Sequence, residues 1–336
     1  MQEREPALPI GSWKGQGLFQ AGTPGEAKVT DRQPADGRTV VLRTLRKPQF
    51  WFGLAVLAPL VIWYLWFSFS PIVRAFWMAV VEYQILRPEE SEFVGLQHFR
   101  MLFEYSLFWT SIRNTLVYAA VFYVCMVPLA LFISACLTSV TRGRNFYQFV
   151  IFLPVVVSLV AISLLFKMLM NPQLGQLNEI LRAVGLPPSQ FLTSHKSALF
   201  SVIGVDIWKA LGFYVVILTA GMLNIPEEMY DAAKVDGAGV LARFWRITLP
   251  LLGHTLALVS VLIVMHGLQV FAQVVIMPSQ PGGPGDATYV LNLLVYTEAF
   301  ANLRFGFATA TAFTLFVFVF IVTIIQLRLL RPSWSY

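Results

Sequence analysis

The sequence predicts an all-α membrane protein of six transmembrane helices, with a short helix-turn-helix outside the lipid between the fourth and fifth. Three observations carry that expectation. Of 336 residues, 57% are apolar and 12% charged, and the mean hydropathy is +0.67, which leaves too little polar surface to solvate an ordinary globular domain. The apolar residues gather into six runs, each above the roughly 20 residues that a helix rising about 1.5 Å per residue needs to cross a bilayer core. Between the fourth and fifth runs the pattern changes to amphipathic and is punctuated by glycine. Secreted, fibrous and disordered chains and the usual soluble enzyme folds are thereby excluded, and transport, signalling or membrane-embedded chemistry remains.

Taken in order, residues 1–47 hold Pro, Gly and most of the basic excess with no apolar period, and read as a disordered cytoplasmic tail. The first apolar run begins near Phe50 and is followed by Pro71 and Arg74, so it reads as an uncleaved span and not as a signal peptide. A six-span membrane domain over 48–330 then has spans near 50–73, 108–137, 146–170, 197–223, 250–277 and 305–327, and a tail at 331–336. Pro128 and Pro154 fall inside the second and third spans, where kinks and not breaks are expected. Six crossings place both termini on one side. That side carries fifteen Lys and Arg against seven on the other, so it is expected to be cytoplasmic.

Catalytic and metal chemistry finds little support. Cys125 and Cys136 would lie about 16 Å apart along one helix, too far to bridge, and the four histidines form no ligand spacing. No nucleophile is set beside a base and no intramembrane carboxylates are paired. No phosphate-binding GxxxxGK[ST] loop is present, so any ATP that drives this protein must bind another polypeptide. No bound metal, cofactor or nucleic acid is expected on this chain.

The most informative segment is NIPEEMYDAAKVDGAGVLARFWRITLPLL, Asn224–Leu252. Asn224 with Glu227 fits a capping box, Pro226 suits a first turn, and Glu227 and Glu228 complement the helix dipole. Ile225, Met229, Ala232 and Ala233 fall on one face, with Glu228, Asp231 and Lys234 elsewhere. Asp236, Gly237 and Gly239 suit a sharp turn, after which Leu241, Phe244, Trp245 and Leu249 restart an apolar stripe leading to Pro250. Such a unit between two spans either is a plain amphipathic connector or offers a soluble partner a grip that moves both attached helices.

The segment resembles the EAA loop of the inner-membrane permease subunits of binding-protein-dependent ABC importers. Asp231, Ala232 and Ala233 stand in the EAA place, followed by Asp236, Gly237, Ala238, Phe244, Leu249 and Pro250; Asp231 is one methylene shorter than the usual Glu. VGLQHF at 94–99, NTL at 114–116, RGRNFYQFVIFLP at 142–154, GQLNEILRAVGL at 175–186 and PGGPGDAT at 281–288 are similar, in order, to further stretches of the carbohydrate-type permeases. The resemblance implies the type I importer permease fold, a second homologous permease, two ATPase subunits that bind ATP and Mg, and an extracytoplasmic solute-binding protein. It implies that the loop at 224–249 seats in the ATPase through Glu227, Asp231, Ala232, Ala233, Asp236, Gly237 and Phe244.

Polar residues inside the spans are candidates for the substrate path. Asp206 and Lys209, three apart, can pair across one turn and offset about 2.5 to 3.5 kcal/mol for each charge in the membrane centre. Trp208 between them can stack on a sugar ring or anchor an interface. His266, Gln269 and Gln273 are spaced to share one helix face, and Asn292 and Tyr296 lie beyond it. Lys167 is expected to snorkel outward. A di- or oligosaccharide is expected over a glycerol phosphate, because Lys209 would already be paired with Asp206. A proton-coupled secondary transporter using Asp206 and His266 is the competing class, disfavoured by the absence of a convincing internal repeat.

Overall fold

The computed structural model describes residues 48–84, 87, 89, 91–140 and 142–330; the expected tail at 1–47 and the segment 331–336 lie outside the described residues. The chain divides into two compact units, residues 1–65 and 66–336. In the first, α1 (Pro48–Tyr64) is a helix whose large apolar side chains are mostly exposed, as suits a helix that meets lipid. A π-helical turn, Leu65–Phe69, leads into α2 (Ser70–Met78).

The second unit continues with a two-residue antiparallel pairing of β1 (Val81–Glu82) and β2 (Glu92–Phe93), in the register Val81 to Phe93. Then come α3 (Gln97–Glu104), α4 (Ser106–Ser139), α5 (Arg144–Val156), α6 (Leu159–Leu169) and α7 (Gln176–Ala183). After them come α8 (Ala198–Leu223), α9 (Glu227–Val235), α10 (Val240–Arg243) and α11 (Leu249–Leu251). The chain ends in α12 (Gly253–Leu268), α13 (Ala272–Ile276), α14 (Leu291–Tyr296) and α15 (Phe305–Leu329). Among the described residues five helices are long and apolar enough to cross a membrane, and six if the bent pair α5 and α6 is one span.

The core forms where α4 packs on α8 and α12, and α5 on α8. Phe108, Tyr118, Phe122 and Met126 of α4 are fully buried there, with Val215 and Leu218 of α8 and Val259 and Ile263 of α12. Lipid tails are as apolar as these side chains, so close packing holds the helices together more than expulsion of water does. Small residues permit that closeness. A Cβ on Gly267 would lie 2.8 Å from Ala119 Cα, and one on Gly212 would run into the Ile151 carbonyl. Thr115, Ser111 and Thr311 turn their hydroxyls back onto carbonyls of their own helices, which lets polar residues sit fully buried.

Two spans are broken, the third where only a kink was expected at Pro154 and the fifth where a continuous helix was expected. The third is broken, with α5 and α6 meeting at 88°. Pro154 weakens the end of α5, Val157 is extended and Ser158 non-helical, so α6 starts afresh. Pro128, by contrast, is carried inside the unbroken 34-residue α4. The fifth span breaks at Gln269, beyond which Phe271 has φ −145° and ψ −66° before α13 resumes.

Candidate functional site

Two regions gather the candidate residues, and the loop between α8 and α12 is the simpler. α9 begins after Pro226 with Glu227 and Glu228 in its first turn and Lys234 in its last, an arrangement that complements the helix dipole. No side chain caps it. Asn224 instead closes the end of α8, its N–H donating to the Gly221 carbonyl at 3.3 Å, so the expected capping box with Glu227 does not form. The reason is that α8 runs on to Leu223, leaving Asn224 on the wrong side of the turn.

The far end of α9 closes in a Schellman motif. Ala238 N–H donates to the Ala233 carbonyl at 2.9 Å and Gly237 N–H to the Lys234 carbonyl at 3.1 Å, while Gly237 has φ +75°. Only glycine takes that conformation at little cost. Tyr230 Oη and Thr248 Oγ1, 3.0 Å apart, then join the two arms of the loop. Phe244 packs against the core, whereas Leu241 and Trp245 of the same expected stripe are exposed with Met229, Val235 and Val240. Glu227, Asp231, Ala232, Asp236 and Gly237 are exposed and Ala233 is half-buried. Asp231 is held by Lys234 at 2.7 Å. A cavity of about 470 Å³ under the loop is lined by Thr138, Glu227, Tyr230 and Arg243.

The second region is a buried polar cluster inside the helices. Asp206, 1% exposed, accepts from Tyr118 Oη at 2.7 Å and Gln273 Nε2 at 2.7 Å, and its Oδ2 lies 2.9 Å from His266 Nε2. His266 stacks flat on Phe122, with ring centroids 4.9 Å apart. One carboxylate thus ties α4, α8, α12 and α13 together. Tyr118 was not legible as a partner, since it lies 88 residues from Asp206 and no local spacing relates them.

The expected Asp206–Lys209 pair is not formed. Lys209 Nζ instead donates to the Val155 carbonyl at 3.2 Å, at the break between α5 and α6. A broken helix leaves carbonyls without helical partners, and a cation at a helix C-terminus answers both the hydrogen bond and the dipole. Lys167, expected to snorkel, does the same for α13, donating to the Ile276 carbonyl at 3.2 Å and the Pro278 carbonyl at 2.8 Å. Asn292 serves the break in the fifth span through the Gln269 carbonyl at 2.8 Å.

That break also divides the expected polar face. His266 and Gln273 turn to Asp206, and Gln269 is exposed. Trp208 rests against Phe166 at 5.4 Å and Tyr296 between Phe271 and Phe300 at 5.3 and 5.2 Å; both Trp208 and Tyr296 remain about half exposed.

The loops between spans are tied down in turn. Asn114 Nδ2 donates to the Asp286 carbonyl at 2.8 Å and the Tyr289 carbonyl at 3.0 Å, so the NTL stretch and the PGGPGDAT stretch meet. Tyr289 packs beneath Gly282, and burial pushes its phenol above the ordinary range, which keeps it neutral. Asn178, buried in α7, bonds the Pro172 and Ser189 carbonyls and the Ser189 N–H.

Long apolar helices, two of them broken and closed there by polar side chains, with a tight loop between α8 and α12, mark a multi-pass membrane protein. The chain belongs to the family of binding-protein-dependent transport system inner-membrane components, whose model matches residues 126–333. It is a multi-pass protein of the prokaryotic inner membrane. Among its relatives, the probable ABC transporter permease protein YurN of Bacillus subtilis is 31% identical over 272 residues, covering 80% of this chain and 92% of that one. The trehalose/maltose transport system permease protein MalF of Thermococcus litoralis is 30% identical over 244 residues, covering 73% and 82%. A crystal structure of a bacterial ABC transporter involved in the import of the acidic polysaccharide alginate superimposes with a TM-score of 0.76 at 25% identity, covering 89% of this chain and 100% of that one.

Proposed function

We propose that this chain forms one half of the translocation pathway of an ATP-driven, binding-protein-dependent importer of a di- or oligosaccharide, and that its ATPase grips it through residues 224–249. The observation that carries this reading is the loop itself. α9 ends in a Schellman turn and is tied to the following arm by Tyr230 and Thr248, so a push on it moves α8 and α12 as one body. Its outer surface presents Met229, Val235, Val240, Leu241 and Trp245 beside the carboxylates of Glu227, Asp231 and Asp236, an apolar patch with a charged border.

In this reading both termini are cytoplasmic, a second homologous permease completes the path, and two ATPase chains hold ATP and Mg. An extracytoplasmic solute-binding protein delivers the solute from the other face. The chain itself is non-catalytic. A saccharide is supported by relatives whose names specify trehalose and maltose or alginate. Asp206, His266 and Gln273 brace the wall of the path, and Trp208, Gln269 and Tyr296 offer it rings and an amide.

The test is to tag the C-terminus in the native host, extract in mild detergent and identify what accompanies the chain by mass spectrometry. An ATPase and a second six-span permease in near-stoichiometric amounts are expected. A chain that comes out alone, with uptake dependent on a proton gradient, would overturn the reading.

A further inference from the structure

Resting on that function, we propose that the saccharide is anionic, and that Lys209 meets its carboxylate or phosphate partway through the membrane. Lys209 is the twelfth residue of the 26-residue α8, so it stands about 16 Å along the axis from one helix end and about 21 Å from the other. That is near the middle of a helix long enough to cross a bilayer core. Among the described residues no carboxylate oxygen lies within 4.0 Å of its Nζ, and its single hydrogen bond goes to the Val155 carbonyl.

The neighbouring acid is already satisfied. Three donors converge on Asp206, from Tyr118, His266 and Gln273, and the carboxylate is closed off from any ligand. The carbonyl end of α5 contributes only roughly half an elementary charge, and two of the three Nζ–H donors of Lys209 have no partner among the described residues. Lys167 is alike in meeting only carbonyls.

Several of the polar side chains that could serve the hydroxyls of a neutral sugar are used differently, although Gln269 and Tyr296 stay exposed. Tyr118, Asp206, Gln273 and Asn292 bond to other parts of the protein. A second basic site lies where α4 and α8 begin. There a cavity of about 380 Å³ is lined by Arg113, His195 and Lys196, with Asp286 as its one acid. Among the described residues neither Arg113 nor Lys196 has a carboxylate within 4.0 Å. A lysine ammonium is a point charge and accepts carboxylate and phosphate alike.

The test uses host cells lacking this chain, complemented with the wild type, Lys209→Met or Lys209→Arg at equal membrane abundance by immunoblot. Radiolabelled neutral oligosaccharides, uronate oligomers and sugar phosphates form three arms of an uptake assay. Chain-dependent uptake is expected in the uronate or the phosphate arm, which tells the two anions apart. It should fall tenfold or more in K209M and stay within threefold of wild type in K209R. Uptake confined to the neutral arm, or lowered equally in neutral and anionic arms by K209M, would overturn the proposal and leave the importer in place; the equal loss would assign Lys209 to an acid of the second permease. Anionic uptake unchanged in K209M would likewise overturn it. No chain-dependent uptake in any arm would remove the saccharide reading and the proposal together.

Discussion

The loop at 224–249 and the cluster around Asp206 are both ordered by hydrogen bonds, but at opposite ranges. The loop closes on itself: its turn bonds lie within six residues, and its longest tie, Tyr230 to Thr248, spans 18. The Asp206 bonds reach across 88, 60 and 67 residues and join four helices. One region is exposed and locally specified, so it can change without unfolding the protein. The other is buried and shared, so a change there is felt by every helix it holds.

The largest effect is expected from Asp206→Ala. It strands the Tyr118 hydroxyl, the His266 ring and the Gln273 amide away from water, at a cost of about 3 kcal/mol. The thermal midpoint of the detergent-solubilised complex should fall by several degrees, with Asp206→Asn falling less because it can keep part of the network. An unchanged midpoint in Asp206→Ala would break the comparison, since the cluster would then hold nothing together.

A smaller, confined effect is expected at Gly237. Valine in a left-handed conformation costs about 1 to 2 kcal/mol, and no neighbour lies within 4 Å of its Cβ position to add a clash. The midpoint should therefore move little, while solute-stimulated ATP hydrolysis in the reconstituted complex loses its link to uptake. Gly237→Asn should retain most coupling, because asparagine tolerates that conformation better. Normal solute-stimulated hydrolysis and uptake in Gly237→Val would show that the turn is not what transmits the push.

The smallest effect on stability is expected from Asp231→Asn. Its pair with Lys234 is solvent-exposed and is worth about 0.3 kcal/mol. Titration of the ATPase against the permease should nonetheless show weaker assembly, recovered by Asp231→Glu. Equal assembly by all three would assign docking to the apolar patch alone.

Much of this was legible in the residues. The apolar runs marked where α4, α8 and α15 lie, and Asp236-Gly237 marked the turn, because both follow from periodicity and from backbone chemistry within a few residues. The partner of Lys209 was not legible. Spacing put Asp206 within reach, and nothing local showed that α5 would break and present a carbonyl. The same blindness made Lys167 a snorkelling cation and placed Gln269 with His266 and Gln273, since an unbroken helix was assumed at the points where the third and fifth spans are interrupted.

By itself the sequence determined the membrane class, where the long apolar helices lie and the tight turn after α9, since lipid demands long apolar helices and tight turns demand particular residues. Only the tertiary structure decided how the intramembrane polar groups are shared. Each of them had several partners within reach of its side chain. Helix breaks that exposed carbonyls, and packing that brought Tyr118, His266 and Gln273 onto one carboxylate, chose among them.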